Sequence, residues 1–147
     1  MTLSEDWRTG RHVLYQLHAH LVFITKYRRD AISEHVGAEI GQACQDVAEQ
    51  FEVTIDAYEH DHDHVHLLVT YPPKVALSKL VNSMKGVSSR RVRALGLPEV
   101  KRVLWGDHFW SPSYAVISCG GAPLDVVRQY VENLRSPNRR RGRPKQA

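Results

Sequence analysis

The chain predicts an α+β fold of the ferredoxin-like (RRM-like) class: an antiparallel four-stranded sheet with two helices on one face and an extra C-terminal helix. Two observations lead there. Hydrophobic periodicity alternates between two and about 3.6 in the order βαββαβα, and 147 residues without an internal repeat suit one domain with a real core.

Residues 12–26 read as a long strand, because β-branched and aromatic side chains run through Leu21-Val22-Phe23-Ile24-Thr25. A helix follows over about 31–50, where Ile32, Val36, Ile40, Ala43 and Val47 recur at helical spacing and the acids between them fall on the wet face. Val53-Thr54-Ile55-Asp56-Ala57-Tyr58 alternates as a second strand, and Asp61-His62-Asp63 turns into a third, His64 to Tyr71, closed by Pro72-Pro73. A second helix spans 76–94, with Leu77, Leu80, Val81, Met84 and Val87 inward and Gly86 as its weak point. After Pro112 a fourth strand covers 113–118, and Gly120-Gly121 separates it from a last helix at about 123–135.

The net charge of +4 hides a segregation along the chain. Six basic residues and no acid lie from Arg135 onward, so residues 1–134 carry a net charge of −2. Asp30 to Pro73 holds ten carboxylates and neither Lys nor Arg, whereas Lys85, Arg90, Arg91, Arg93, Lys101 and Arg102 face only Glu99. A polyanion is drawn to the second region and the tail and repelled elsewhere, so its binding is local and oriented. Cys44 and Cys119 are too few and too scattered for a disulfide framework or a cysteine zinc site. With no basic start leading into an apolar stretch, and no apolar run of membrane-spanning length, a cytoplasmic protein with no membrane partner is expected.

Chemistry concentrates in His64-Val65-His66. Side chains alternate along a strand, so both imidazoles point one way and Val65 the other. Two neutral imidazoles so placed can grip one metal ion, although most strand histidines are only hydrogen-bonded or solvated. His60 and His62 share that parity if the strand starts early, but Asp61-His62-Asp63 looks like a turn. Far downstream, Tyr130 lies in a segment of helical periodicity. Its bland alternative is packing beside the stripe Leu124, Val127, Val131 and Leu134. A metal site with a tyrosine hydroxyl is equipment for phosphoryl transfer: the metal polarises a phosphodiester and the phenolate attacks phosphorus.

The ordered landmarks Val22-Phe23-Ile24-Thr25-Lys26-Tyr27-Arg28-Arg29, Asp63-His64-Val65-His66-Leu67-Leu68, Met84-Lys85-Gly86, Leu104-Trp105-Gly106, Trp110-Ser111-Pro112-Ser113-Tyr114 and Tyr130-Val131-Glu132-Asn133 cover nearly the whole chain up to about residue 134. Together they resemble the single-tyrosine HUH transposases of bacterial insertion sequences (TnpA type), which act on single-stranded DNA. The resemblance implies a transposase domain over 1–134, with 135–147 a basic, disordered tail. It implies Tyr130 as the nucleophile that forms a 5′-phosphotyrosine and frees a 3′-hydroxyl. It further implies Mg²⁺ or Mn²⁺ on His64 and His66, no small-molecule cofactor, and recognition of DNA hairpins at element ends. A homodimer is implied too, in which the tyrosine helix of one subunit completes the histidine site of the other, with Gly120-Gly121 as a suitable hinge.

One position departs from the family. Four residues after the tyrosine the family usually carries a glutamine that completes the metal site; Leu134 cannot bind metal. Asn133 offers the same carboxamide one methylene shorter. Water or an acid such as Asp63 is the next alternative, and a DNA-binding remnant without efficient cleavage the third. Loss of the glutamine is expected to sharpen any preference for Mn²⁺, which tolerates nitrogen better.

For DNA contacts the candidates are Lys26, Arg28 and Arg29 at the end of the first strand, Lys85, Arg90, Arg91 and Arg93 on the second helix, and Arg139, Arg140, Arg141 and Arg143 in the tail. Arg141-Gly142-Arg143-Pro144 resembles an AT-hook, with a polycationic capture tail as the simpler reading. Trp105, Phe109 and Trp110 either stack on bases or pack in the core. Two rival functions remain at this level: a noncatalytic DNA-hairpin binder, and a metal-free histidine-triad nucleotide hydrolase built on His62, His64 and His66.

Overall fold

The computed structural model describes residues 8–9, 13–103 and 108–118. Its main sheet has four strands, β1 (His18–Thr25), β2 (Thr54–His60), β3 (His64–Thr70) and β4 (Trp110–Ser118), in the order β2-β3-β1-β4 with every neighbouring pair antiparallel. Helices α1 (Glu34–Gln50) and α2 (Leu77–Leu95) supply the two long connections, and a short α3 (Pro98–Val103) leads toward β4. This is the ferredoxin-like α+β sandwich expected from the sequence. The expected last helix, with Tyr130, Asn133 and Leu134, the Gly120-Gly121 hinge and the basic tail lie outside the described residues.

Strand parity builds the core. Ala19, Leu21 and Phe23 of β1 and Val65, Leu67 and Val69 of β3 turn to one side, where they meet Val36, Ile40, Cys44 and Val47 of α1 and Leu80, Val81, Met84 and Val92 of α2. Ser88 joins this side at full burial because its hydroxyl accepts a hydrogen bond from Trp110 Nε1 at 3.0 Å. Trp110 also meets Phe23 and Phe109 edge-on, at ring-centroid distances of 5.7 and 4.7 Å. Phe109 and Trp110 are therefore core residues, which resolves their reading in favour of packing; Trp105 lies outside the described residues.

Element ends follow local chemistry. Helix α1 starts later than the apolar pattern suggests because the Ser33 hydroxyl accepts from Val36 N–H at 3.2 Å and so sets the N-cap. Helix α2 stops at Gly96, which takes the left-handed conformation (φ 64°). Pro98 two residues later opens α3, an element the periodicity did not announce.

The first strand is shorter than the expected 12–26. Leu14–Tyr15 pair instead with Arg8–Thr9 in a two-residue ribbon, and Lys26–Arg28 form a 3-10 turn in which Tyr27 and Arg28 have φ of 60° and 55°. The last strand starts at Trp110 rather than 113, because β4 is an edge strand and tolerates Pro112.

Candidate metal and DNA site

The β2-β3 hairpin carries the chemistry. Because Val65, Leu67 and Val69 are committed to the core, His64 and His66 lie on the sheet face turned away from the helices. Across from them on β1 stand Ile24 and Val22, with His20 beside, and across from His66 on β2 stands Glu59. The two imidazoles are nearly parallel, 19° between planes, with ring centroids 6.2 Å apart.

Each imidazole has a carboxylate. His64 Nδ1 lies 2.9 Å from Asp63 Oδ1, and both side chains are buried. Such a contact fixes the ring, with Nε2 as the nitrogen that could face a metal ion. Asp63 is itself anchored, since its carbonyl accepts from the Thr25 N–H at 3.0 Å and the Thr25 hydroxyl at 3.2 Å. His66 Nε2 lies 3.2 Å from Glu59 Oε1. Two imidazoles on one face, one oriented from behind by a carboxylate, are side chains of the kind that can hold a divalent metal ion.

The other histidines of the segment go elsewhere. The turn at residues 61–63 breaks the strand parity, so His60 faces α1, its Nε2 3.7 Å from Glu34. His62 sits on the turn with its Nε2 3.3 Å from Asp30 and its Nδ1 2.7 Å from Asp61. Asp30, His62 and Asp63 each bring one ligand atom within 4.8 Å of the others, a second cluster on the flank of the histidine pair. The alternation that a histidine-triad site needs at residues 62, 64 and 66 is not formed.

The basic candidates divide. Lys85 is half-buried, its ammonium donating to the Ser111 carbonyl at 2.7 Å and lying 5.6 Å from the Tyr114 ring; burial lowers its pKa. It ties α2 to β4. Arg91 pairs with Asp46 of α1 at 2.8 Å, and Arg93 Nε donates to Ser89 at 3.4 Å. Arg90 is exposed on the same helix. At the end of β1, Arg29 donates to the Val103 carbonyl at 3.2 Å.

Two neighbours of these residues were not singled out from the sequence. Tyr27 is 72 % exposed, with Lys26 Nζ and the Arg29 guanidinium 5.4 and 5.5 Å from its ring centre. Its signal was an aromatic residue enclosed by three bases. Glu59 gave no signal except its parity with His66 across the hairpin. The tail arginines 139–141 and 143 lie outside the described residues.

Comparison with known proteins places the chain in a family. Residues 13–134 match the IS200-like transposases, and the chain belongs to that family. Among its relatives, the ISDra2 transposase TnpA of Deinococcus radiodurans is 31 % identical over 131 residues, 89 % of this chain and 93 % of that protein. The transposase of insertion sequence IS200 from Salmonella typhimurium is 29 % identical over 115 residues, 78 % of this chain and 75 % of that one. A crystal structure of a candidate transposase from Deinococcus radiodurans R1 superposes with a TM-score of 0.72 at 32 % identity, covering 86 % of this chain and 96 % of that one. A REP-associated tyrosine transposase, solved bound to a REP hairpin, shares the fold at 15 % identity, with a TM-score of 0.55 and coverage of 92 % and 74 %. Among the described residues, no helix is long and apolar enough to cross a membrane.

Proposed function

We propose that this transposase cuts and rejoins single-stranded DNA through a covalent 5′-phosphotyrosine on Tyr130, at a divalent-metal site on His64 and His66. The observation that carries the reading is the histidine pair on the sheet face turned away from the helices, both imidazoles largely buried and His64 held by buried Asp63. The Tyr130 hydroxyl loses its proton and attacks phosphorus; the bond to the 3′-oxygen breaks, and that oxygen leaves as a 3′-hydroxyl after taking a proton. A later attack by a 3′-hydroxyl on the phosphotyrosine reverses the exchange and rejoins strands without external energy. A divalent ion, Mg²⁺ or Mn²⁺, supplies Lewis-acid polarisation of the scissile phosphate when bound. Asp63 keeps the His64 ring in one tautomer and orientation, while Asn133, next in sequence to Leu134, would offer a carboxamide in place of the donor that Leu134 lacks.

DNA is the partner, as a hairpin with single-stranded flanks, in line with the hairpin held by the REP-associated relative. Lys26, Arg28, Arg29, Arg90 and Arg93 supply phosphate contacts, while Lys85 and Arg91 act through their present partners to hold α2 against β4 and α1. The segment 1–134 is the catalytic domain, and 135–147 adds nonspecific attraction through Arg139, Arg140, Arg141 and Arg143. The working unit is a homodimer, because excision requires two tyrosines at two linkages. Leu134 favours a second reading, a hairpin-binding relative that no longer cleaves.

Labelled single-stranded oligonucleotides from the DNA flanking the gene separate the two. With Mn²⁺, wild type is expected to form a denaturant-resistant protein–DNA adduct that Tyr130→Phe loses and that Leu134→Gln forms faster. Hairpin binding without an adduct, even in Leu134→Gln, would establish the noncatalytic reading instead.

A further inference from the structure

We propose that Tyr27 is a stacking platform for one unpaired base in the single-stranded flank beside the cleaved linkage; this rests on the reading of the protein as one that acts on single-stranded DNA. Among the described residues Tyr27 is the most exposed of the large apolar side chains, at 72 %, whereas Tyr58, Tyr71 and Tyr114 pack against the core. A ring left in water adds nothing to the core, and an aromatic face in solvent is what a base without a pairing partner stacks on.

The ring is held out by its backbone. Tyr27 and Arg28 both have positive φ, 60° and 55°, a conformation that bulky side chains adopt only when the surroundings impose it. Here the surroundings do so from two sides. The Thr25 N–H donates to the Asp63 carbonyl at 3.0 Å, and the Lys26 N–H donates to the Phe109 carbonyl at 2.9 Å. Beyond the turn, the Ala31 N–H donates to the Arg29 carbonyl at 2.9 Å. A turn fixed in advance loses little freedom when a ligand arrives.

Position and charge suit a nucleotide beside the reacting phosphate. Ile24 is the cross-strand neighbour of His64, so Tyr27 emerges at the end of the sheet that carries the proposed metal site. Lys26 Nζ and the Arg29 guanidinium lie 5.4 and 5.5 Å from the ring centre, and these bases immediately precede the segment Asp30 to Pro73, which has neither Lys nor Arg. A base stacked on Tyr27 thus has cations within reach of its flanking phosphates. Cations alone attract any polyanion. The ring adds a demand for an unpaired base, because both faces of a base inside a duplex are already stacked.

Fluorescence anisotropy of the full-length protein without added metal, so that no strand is cut, tests this with a hairpin carrying a single-stranded flank and with the same hairpin carrying one abasic site moved through the flank. At one flank position the abasic site is expected to weaken wild-type binding by roughly fivefold to a hundredfold. Tyr27→Ala is expected to weaken binding of the intact flank by the same factor and to bind that abasic hairpin as wild type does. Tyr27→Phe and Tyr27→Trp are expected to keep the wild-type affinity and Tyr27→Leu to behave as Tyr27→Ala, which separates stacking from simple apolar contact. If no abasic position matters, if Tyr27→Ala binds both hairpins as wild type does or weakens both equally, or if Tyr27→Leu matches wild type, the ring stacks on no base and the proposal falls, with the DNA reading intact. If wild type binds neither hairpin, the DNA reading falls, and the proposal with it.

Discussion

His20 occupies an unusual position on the histidine face of the sheet. It is 3 % exposed, and its Nδ1 has no hydrogen-bond partner among the described residues. Burial, and then the nearby His66, lower its pKa from the ordinary 6.5. With the folded value below the unfolded one, the unfolded chain binds more protons as pH falls through that interval, so acidification removes stability. Urea midpoints of the metal-free protein are expected to fall between about pH 7 and pH 5.5, and to fall less in His20→Phe. At pH 7 the same variant is expected to gain about 1 kcal/mol, because it removes a buried nitrogen without a partner. An equal acid response in both proteins would assign it to another group. Cys44, by contrast, is pushed up to about 12 by burial and stays a thiol packed in the core.

At the scale of elements, two helical glycines with the same sequence signal have opposite meanings. A Cβ on Gly37 of α1 would lie 2.3–2.6 Å from ring atoms of His60, whose strand the helix crosses at close range. Gly86 of α2 has as its nearest neighbour the flexible Arg90 Nη1 at 3.4 Å. Gly86→Ala is therefore expected to raise stability by about 1 kcal/mol, and Gly37→Ala to lower it by about 1 kcal/mol despite the same gain in helix propensity. Denaturant titration checks both, and a shift of the same sign in the two variants would contradict the packing argument.

The contrast also marks how far the sequence could be read. The order of the four strands and two long helices up to Ser118, the strand parity and the inward positions of both long helices were legible, because periodicity records which face meets the core. What was missed depends on contacts between distant segments: the turn that sends His60 to α1, the left-handed pair Tyr27 and Arg28, and the commitment of Lys85 and Arg91 to β4 and α1. In the candidate site, the shared face of His64 and His66 was legible from their spacing. The place of Glu59 opposite His66 was not, because it depends on the register between β2 and β3, which a bulge between Ile55 and Ala57 shifts.

For the whole molecule, charge is distributed by function. The acids are concentrated between Asp30 and Pro73, the segment that contains the proposed ion site, while bases gather in α2 and beyond residue 134. The basic segments attract a polyanion, while the acidic segment repels it unless a bound cation offsets its charge. Deletion of residues 136–147 removes five basic residues. The log–log salt dependence of single-strand affinity is expected to flatten by up to roughly 3 units, with adduct chemistry per bound complex unchanged. An unaltered slope would exclude the tail from binding.

The sheet order has a consequence for synthesis. Strand β1 lies between β3 and β4, and β4 begins at Trp110, long after β1 has been made. A nascent chain that has already paired β1 with β3 still presents the other edge of β1 to its surroundings, with Phe23 lacking the Trp110 ring that packs against it. Ribosomal pausing before Trp110 leaves a half-built sheet with one adhesive border, and this is the window in which the newborn polypeptide most needs a chaperone.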